Sequence, residues 1–252
     1  MIEIFILSLI QGVTEFLPIS SSSHLILVSE YFAFENKGLS IDVSLHIGSF
    51  AAVLVYFKND ILDFYENKFL FFKILLASLP VMIVGYILAE TGYIDKIRSI
   101  KIIAWTTIIF GLLLYISDRF KLEKNINKDF NFKSVLFIGI LQILSLIPGV
   151  SRSGIAITTA RLLNFKRVDA AKISFLLSIP ILGAVSIFGV KNIIISESIS
   201  FSGINLSAIL ISFCFSFITI KFFLKYIKKF NLSIFVIYRI MLGVILLVIA
   251  YL

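Results

Sequence analysis

Near its start the chain places an amide, a carboxylate, four hydroxyls and an imidazole close together: Gln11, Glu15, Ser20, Ser21, Ser22, Ser23 and His24, in QGVTEFLPISSSSH. Glu15 lies in the middle of an apolar segment, where an ionised carboxylate is costly unless it faces a cavity or a partner. Gln11, four residues earlier, shares its helical face, with Ser8 above, so a polar stripe runs toward the turn. Such a stripe serves either a site or the stitching of two helices. The serines follow Pro18, and a helix restarting there points free N–H groups and hydroxyls into the turn, an arrangement that attracts anions. With a start near Ser20, Ser21 and His24 share a face. A hydroxyl nucleophile and an imidazole near Glu15 suit phosphoryl or acyl transfer. Taken singly, Ser20, Ser22 and Ser23 read more simply as helix caps.

A second constellation follows at an offset of 130 residues, in IPGVSRSG, where Arg152 stands between Ser151 and Ser153 directly after Pro148 and Gly149. A planar, permanently charged five-donor group beside hydroxyls at a helix start is what a phosphate oxygen needs. Lys73, Arg161 and Arg239 lie within reach of span ends and read as snorkelling cations or structural ion pairs; His46, early in a span, reads as lining a vestibule or, with more weight, as a packing histidine. GxxxxGK[ST], HExxH, GxSxG and paired Cys or His ligands are absent, and Cys214 is alone, which disfavours dedicated NTP hydrolysis, zinc chemistry and redox chemistry. A magnesium ion held mainly by a substrate's phosphates needs only one or two protein oxygens, for which Gln11 and Glu15 are the candidates.

The elements that position these residues follow from composition. Hydrophobic residues make up 59% of the 252 and charged ones 15%, with a mean hydropathy of +1.04, against a usual charged share of about 25%. Such a surface suits lipid better than water. Helical spans are expected at roughly 41 to 57, 69 to 90, 102 to 117, 172 to 190, 206 to 222 and 232 to 252. The stretches 1 to 33 and 134 to 165, each broken by Pro and Ser, are expected as re-entrant helical hairpins that stop at Pro18 or Pro148 and restart under a serine cap. The offset superposes Pro18 on Pro148, Ser21 on Ser151 and Ser23 on Ser153. One membrane domain, 1 to 252, is therefore expected as two repeats, 1 to 118 and 134 to 252. Each is a hairpin plus three spans, and the odd number of crossings inverts the second.

The net charge of +8 sits in short loops between apolar runs, which indicates the positive-inside pattern and not nucleic-acid binding. Of 23 Lys and Arg, fourteen fall on one face, among them Lys58, Lys121, Lys133, Lys166 and Lys225; Lys37, Lys96, Arg98, Lys101 and Lys191 fall on the other, and Lys73, Arg152, Arg161 and Arg239 lie within apolar runs. Both termini are expected outside, and the start lacks the pattern of a removable signal peptide.

The chain resembles the integral-membrane undecaprenyl-diphosphate phosphatases, also called bacitracin-resistance proteins. QGVTEFLPISSSSH is similar to that family's [E/Q]xxxE segment with its downstream Ser and His, and PGVSRSG to its PGxSRS motif; weaker likeness runs through LHIGSFAAVLVYF, SFLLSIP and YRIMLGVILL. The resemblance implies a hydrolase of the bacterial cell (inner) membrane. It would remove the terminal phosphate of a polyprenyl diphosphate from the outer face, regenerate the lipid carrier for peptidoglycan synthesis and confer bacitracin resistance. It implies Gln11, Glu15, Ser21, His24, Ser151, Arg152 and Ser153 as the site. With them go Gly149 and Ser20 at the phosphate, a divalent cation (Mg or Ca) at Gln11 and Glu15, no organic cofactor, and a homodimer among the assemblies it allows. Two departures stand out: Gln11 replaces a frequent Glu, and Ala156 stands where the family usually carries Thr. Ser21, His24 and water all remain as attacking groups. A phosphate-lipid flippase or transporter using the same broken helices is the reading from another class.

Overall fold

Apolar runs of eighteen residues or more satisfy their backbone internally as helices, the form a lipid solvent demands. The computed structural model describes residues 1–32, 38–66, 68–93, 97–120, 123–195 and 203–252. Lys37, Lys96 and Lys121 of the charge count lie outside these. The described residues form no strand, and six helices have the length and apolarity to cross a membrane, so this is an all-α, multi-pass membrane protein. These are α3 (Leu39–Tyr56), α5 (Lys68–Glu90), α6 (Ile100–Ser117), α10 (Arg167–Ile195), α11 (Gly203–Ile227) and α12 (Ser233–Tyr251), each within five residues of its expected bounds. Between them lie α1 (Ile2–Thr14), α2 (Ser21–Tyr31), α4 (Lys58–Glu66), α7 (Ile126–Asp129), α8 (Phe132–Gln142), a 3-10 turn (Ile143–Leu146) and α9 (Arg152–Leu162).

The first break falls earlier than the proline suggests. Helix α1 ends at Thr14, because the N–H that would close the next turn on the Thr14 carbonyl belongs to Pro18, which has none. Pro148 acts likewise on Leu144, and the chain tightens there into 3-10 geometry with Ile147 N donating to Leu144 O at 3.1 Å. Both turns end on a serine with positive φ, Ser20 at 76° and Ser151 at 71°. Left-handed backbone at a non-glycine costs on the order of 1–3 kcal/mol and persists only where the surroundings fix it. Ser151 caps α9 through its hydroxyl, which accepts from Gly154 N at 3.1 Å. Ser20 precedes α2 without a side-chain cap.

Packing is reciprocal between the halves. Helix α1 lies on α11 and α8 on α5, while α3 pairs with both α10 and α11, and α6 with α12. Small residues allow the close approaches: a Cβ at Gly12 would fall 2.5 Å from the Phe215 Cβ, and one at Gly139 would fall 2.8 Å from the Ala77 carbonyl. Hydroxyls stitch α3 to α11, with Ser49 3.2 Å from Ser212 and 3.0 Å from Ser216. Beneath the turns, Phe16 meets Phe175 edge-on at 5.4 Å within a core that includes Ala156, Ala160 and Leu177. The outward faces carry exposed Trp105, Phe72, Phe137 and Phe222, apolar surface that lipid accepts without penalty.

Of the cations inside apolar runs, Arg161 forms the expected ion pair, 2.9 Å from Asp118, and Lys73 reaches the Phe130 carbonyl beside the Phe69 ring. Arg239 departs from expectation. It does not snorkel, and among the described residues it rests on no carboxylate; it is fully buried, donating to backbone carbonyls.

Candidate active site

The two turns meet at Glu15, the residue that caps α1. Its Oε2 accepts from the Ser21 hydroxyl at 2.6 Å and from Gln11 Nε2 at 3.1 Å, and its Oε1 accepts from Arg152 Nη2 at 3.1 Å. Arg152 also donates through Nη1 to the Ser174 carbonyl on α10 at 3.2 Å. Glu15 and Arg152 are 7% and 12% exposed, so the pair is shielded from solvent, and each donor in it is correspondingly stronger than at a surface. Ser153 ties the turns further by donating to the Leu17 carbonyl at 2.6 Å, with the Ser151 hydroxyl 3.2 Å away.

Gly149 has φ +93°, and its carbonyl accepts from Arg239 Nη2 at 2.8 Å. A Cβ there would meet the Thr106 hydroxyl and the Ile103 carbonyl. In the first turn, Ser20 lies 2.9 Å from the Ser23 hydroxyl. Its carbonyl sits 2.6 Å from His24 Nδ1, and His24 Nε2 is 2.5 Å from the Tyr238 hydroxyl. A carbonyl only accepts, so Nδ1–H donates to it, and in the neutral ring Nε2 accepts a hydrogen bond from the Tyr238 hydroxyl. His24 and Ser21 therefore diverge, contrary to the expected shared use: Ser21 turns to Glu15, His24 to α12.

A cavity of about 700 Å³ opens onto this cluster. Its polar end is lined by Glu15, Ser20, Ser21, Ser22, Ser151 and Arg152, and its apolar wall by residues of α5 and α10 such as Met82, Tyr86, Leu182, Val185 and Phe188. Pro80 and Pro180 sit inside these two helices, and the residues directly after each line the cavity. Gln11, His24, Gly149 and Ser153 do not line it; they stand behind the lining residues. His46 lines the cavity, the less favoured of its two sequence readings, with Nδ1 3.1 Å from Gln11 Nε2. A histidine early in a span beside LHIGS, four positions after Asp42, was the available clue.

No group of three or more His, Cys, Asp or Glu suited to a metal occurs among the described residues. The oxygens available to a cation held mainly by a substrate are the Glu15 carboxylate at the cavity and, behind it, Gln11 Oε1, which is buried without a hydrogen-bond partner among the described residues. The arrangement combines an activatable hydroxyl, a carboxylate able to take its proton, a guanidinium for an anion and an apolar chamber for a lipid tail. That is the equipment of phosphoryl transfer on an amphiphile.

Comparison with known proteins agrees. The family described as Bacitracin resistance protein BacA matches residues 4–245. An undecaprenyl-diphosphatase of Pelagibacter ubique (strain HTCC1062) is 50% identical over 251 residues, covering 99% of this chain and 98% of the relative. An undecaprenyl-diphosphatase of Jannaschia sp. (strain CCS1) is 38% identical over 262 residues, covering 98% of each. The chain belongs to the bacitracin resistance protein family.

Proposed function

We propose that this family member hydrolyses undecaprenyl diphosphate to undecaprenyl phosphate and inorganic phosphate, recycling the lipid carrier of peptidoglycan synthesis in the bacterial cell membrane. The observation that carries the reading is the Glu15 carboxylate held between the Ser21 hydroxyl and the Arg152 guanidinium at the polar end of a largely apolar cavity.

In this reading the diphosphate enters the polar end with its tail along α5 and α10. Glu15 accepts the Ser21 proton as Oγ attacks the terminal phosphorus, and the bond from that phosphorus to the bridging oxygen breaks. Undecaprenyl phosphate leaves, and water then hydrolyses the serine phosphate. Arg152 neutralises charge on the transferring group, and Ser20 and Ser151 offer further donors at the same end. A general base contributes about 10²- to 10⁴-fold. Ser153 and Gly149 shape the second turn, and His24 braces the first through the Ser20 carbonyl. A bound Mg²⁺ or Ca²⁺ held by Glu15 and Gln11 would supply Lewis-acid neutralisation of phosphate oxygens.

The two short-helix pairs are re-entrant hairpins, and residues 1 to 118 and 134 to 252 form an inverted repeat with both termini outside. Support comes from α1 and α9, 13 and 11 residues long, where a full span needs about 20. The matched positive φ at Ser20 and Ser151 and the reciprocal packing of α1 on α11 and α8 on α5 support it too. In a Cys214→Ser background on intact cells, an impermeant thiol reagent should label Gly203→Cys and spare Lys128→Cys; the reverse would overturn the orientation.

The activity test is release of inorganic phosphate by purified protein in detergent, where no gradient or sidedness exists. Release from undecaprenyl diphosphate above background is expected. Binding of the lipid without release would favour a flippase that uses the same turns.

A further inference from the structure

Arg239 carries a permanent charge and is fully buried in the apolar helix α12. Desolvating a cation costs several kcal/mol even after relaxation, so its hydrogen bonds must return that. They go to both turns at once. Nη1 donates to the Pro18 and Val150 carbonyls, each at 3.2 Å, Nη2 to Gly149 at 2.8 Å, and Nε to the Thr107 carbonyl of α6 at 3.2 Å. Pro18 belongs to the turn that carries Glu15, and Gly149 and Val150 to the turn that carries Arg152. The space for the guanidinium is kept by two glycines: a Cβ at Gly154 would lie 2.9 Å from Nη1, and one at Gly111 would lie 3.1 Å from the Arg239 Cβ. The preceding residue, Tyr238, meets His24 of the first hairpin.

We infer that Arg239 is a positioning residue that clasps the two turns together and so sets the separation at which Arg152 meets Glu15. Only a rigid fork bridges three carbonyls from two turns while a third donor stays on α6; a lysine ammonium has three donors at one point and reaches one turn. Among the described residues its hydrogen bonds reach no group that lines the cavity, and it acts through Arg152 and Glu15. The consequence falls on geometry at the reacting phosphate more than on lipid capture, because the apolar wall of α5 and α10 is untouched. The inference rests on the phosphatase reading for its kinetic part only.

Arg239→Lys, which keeps the charge, should lower kcat for phosphate release about 30- to 100-fold with KM within about threefold, the signature of a lost transition-state alignment. In the Arg152→Lys background the same change should cost less than about threefold more, since an alignment already lost is not lost twice. Hydrogen exchange read by mass spectrometry should speed up in residues 15–20 and 147–151 and stay unchanged in α3 and α11. Arg239→Gln serves as the second variant if Arg239→Lys does not fold. A normal kcat, multiplicative losses in the double variant, exchange that rises throughout the protein, or failure of both variants to fold would each overturn the positioning role. If the wild-type protein releases no phosphate, the phosphatase reading fails, while the exchange pattern still decides whether Arg239 clasps the turns.

Discussion

Replacing Glu15 by Gln tests the centre of the site, because it keeps shape and removes a charge. The carboxylate accepts from three side chains: Ser21 at 2.6 Å, Gln11 at 3.1 Å and Arg152 at 3.1 Å. A glutamine has one carbonyl oxygen for these donors and turns an NH₂ toward at least one of them. Each hydrogen bond to the charged group is worth about 1.5–3 kcal/mol, and the loss of a general base costs about 10²- to 10⁴-fold. Misdirection of Arg152, now without its counter-charge, adds at least about tenfold through the geometry of the phosphate contact. Phosphate release should therefore fall by at least about 10³-fold. The fold should survive, because Arg152 is still held by the Ser174 carbonyl and borders the cavity. The assay is inorganic phosphate released from undecaprenyl diphosphate in detergent, with melting temperature measured beside it. Glu15→Asp, which retracts the charge by one methylene, should fall between. Turnover of Glu15→Gln within about tenfold of wild type would refute the reasoning and reduce Glu15 to a packing role.

Arg152→Lys keeps the charge but not the bifurcated reach to Glu15 and Ser174, so turnover should drop about a hundredfold with unchanged expression; a near-normal rate would mean that charge alone matters. Ser21→Ala should abolish turnover, whereas Tyr238→Phe, which removes only the partner of His24, should cost less than about tenfold. Equal losses, measured side by side, would point to His24 as the attacking group. Gly149→Ala should lower stability by about 2–4 kcal/mol, combining the +93° φ with collision against Thr106 and Ile103. Calorimetry in detergent checks it, and an unchanged melting temperature would contradict the packing described.

The sequence by itself determined the solvent, the six spans and the residue types at the site. Apolar segments long enough to cross a bilayer permit one backbone solution in lipid, and Glu15 and Arg152 stand out because a charge at that depth needs a reason. The 130-residue offset made the likeness of the two turns legible as well. The local ends of helices were less so. The break after Thr14 depends on which carbonyl Pro18 leaves without a donor, a count taken back from the proline and not at it. Tertiary structure alone decided who meets whom. Glu15 and Arg152 lie 137 positions apart, and the packing of α1 on α11 and α8 on α5 brings their turns within reach of each other. Arg239 was misjudged from sequence, and His46 weighted toward packing, for the same reason: a histidine or arginine near a span end has several unremarkable partners nearby, and its actual partners come from distant segments. Pairing of Arg239 with the carbonyls of Pro18 and Gly149 is a property of three segments converging, which side-chain type and spacing along one segment do not encode.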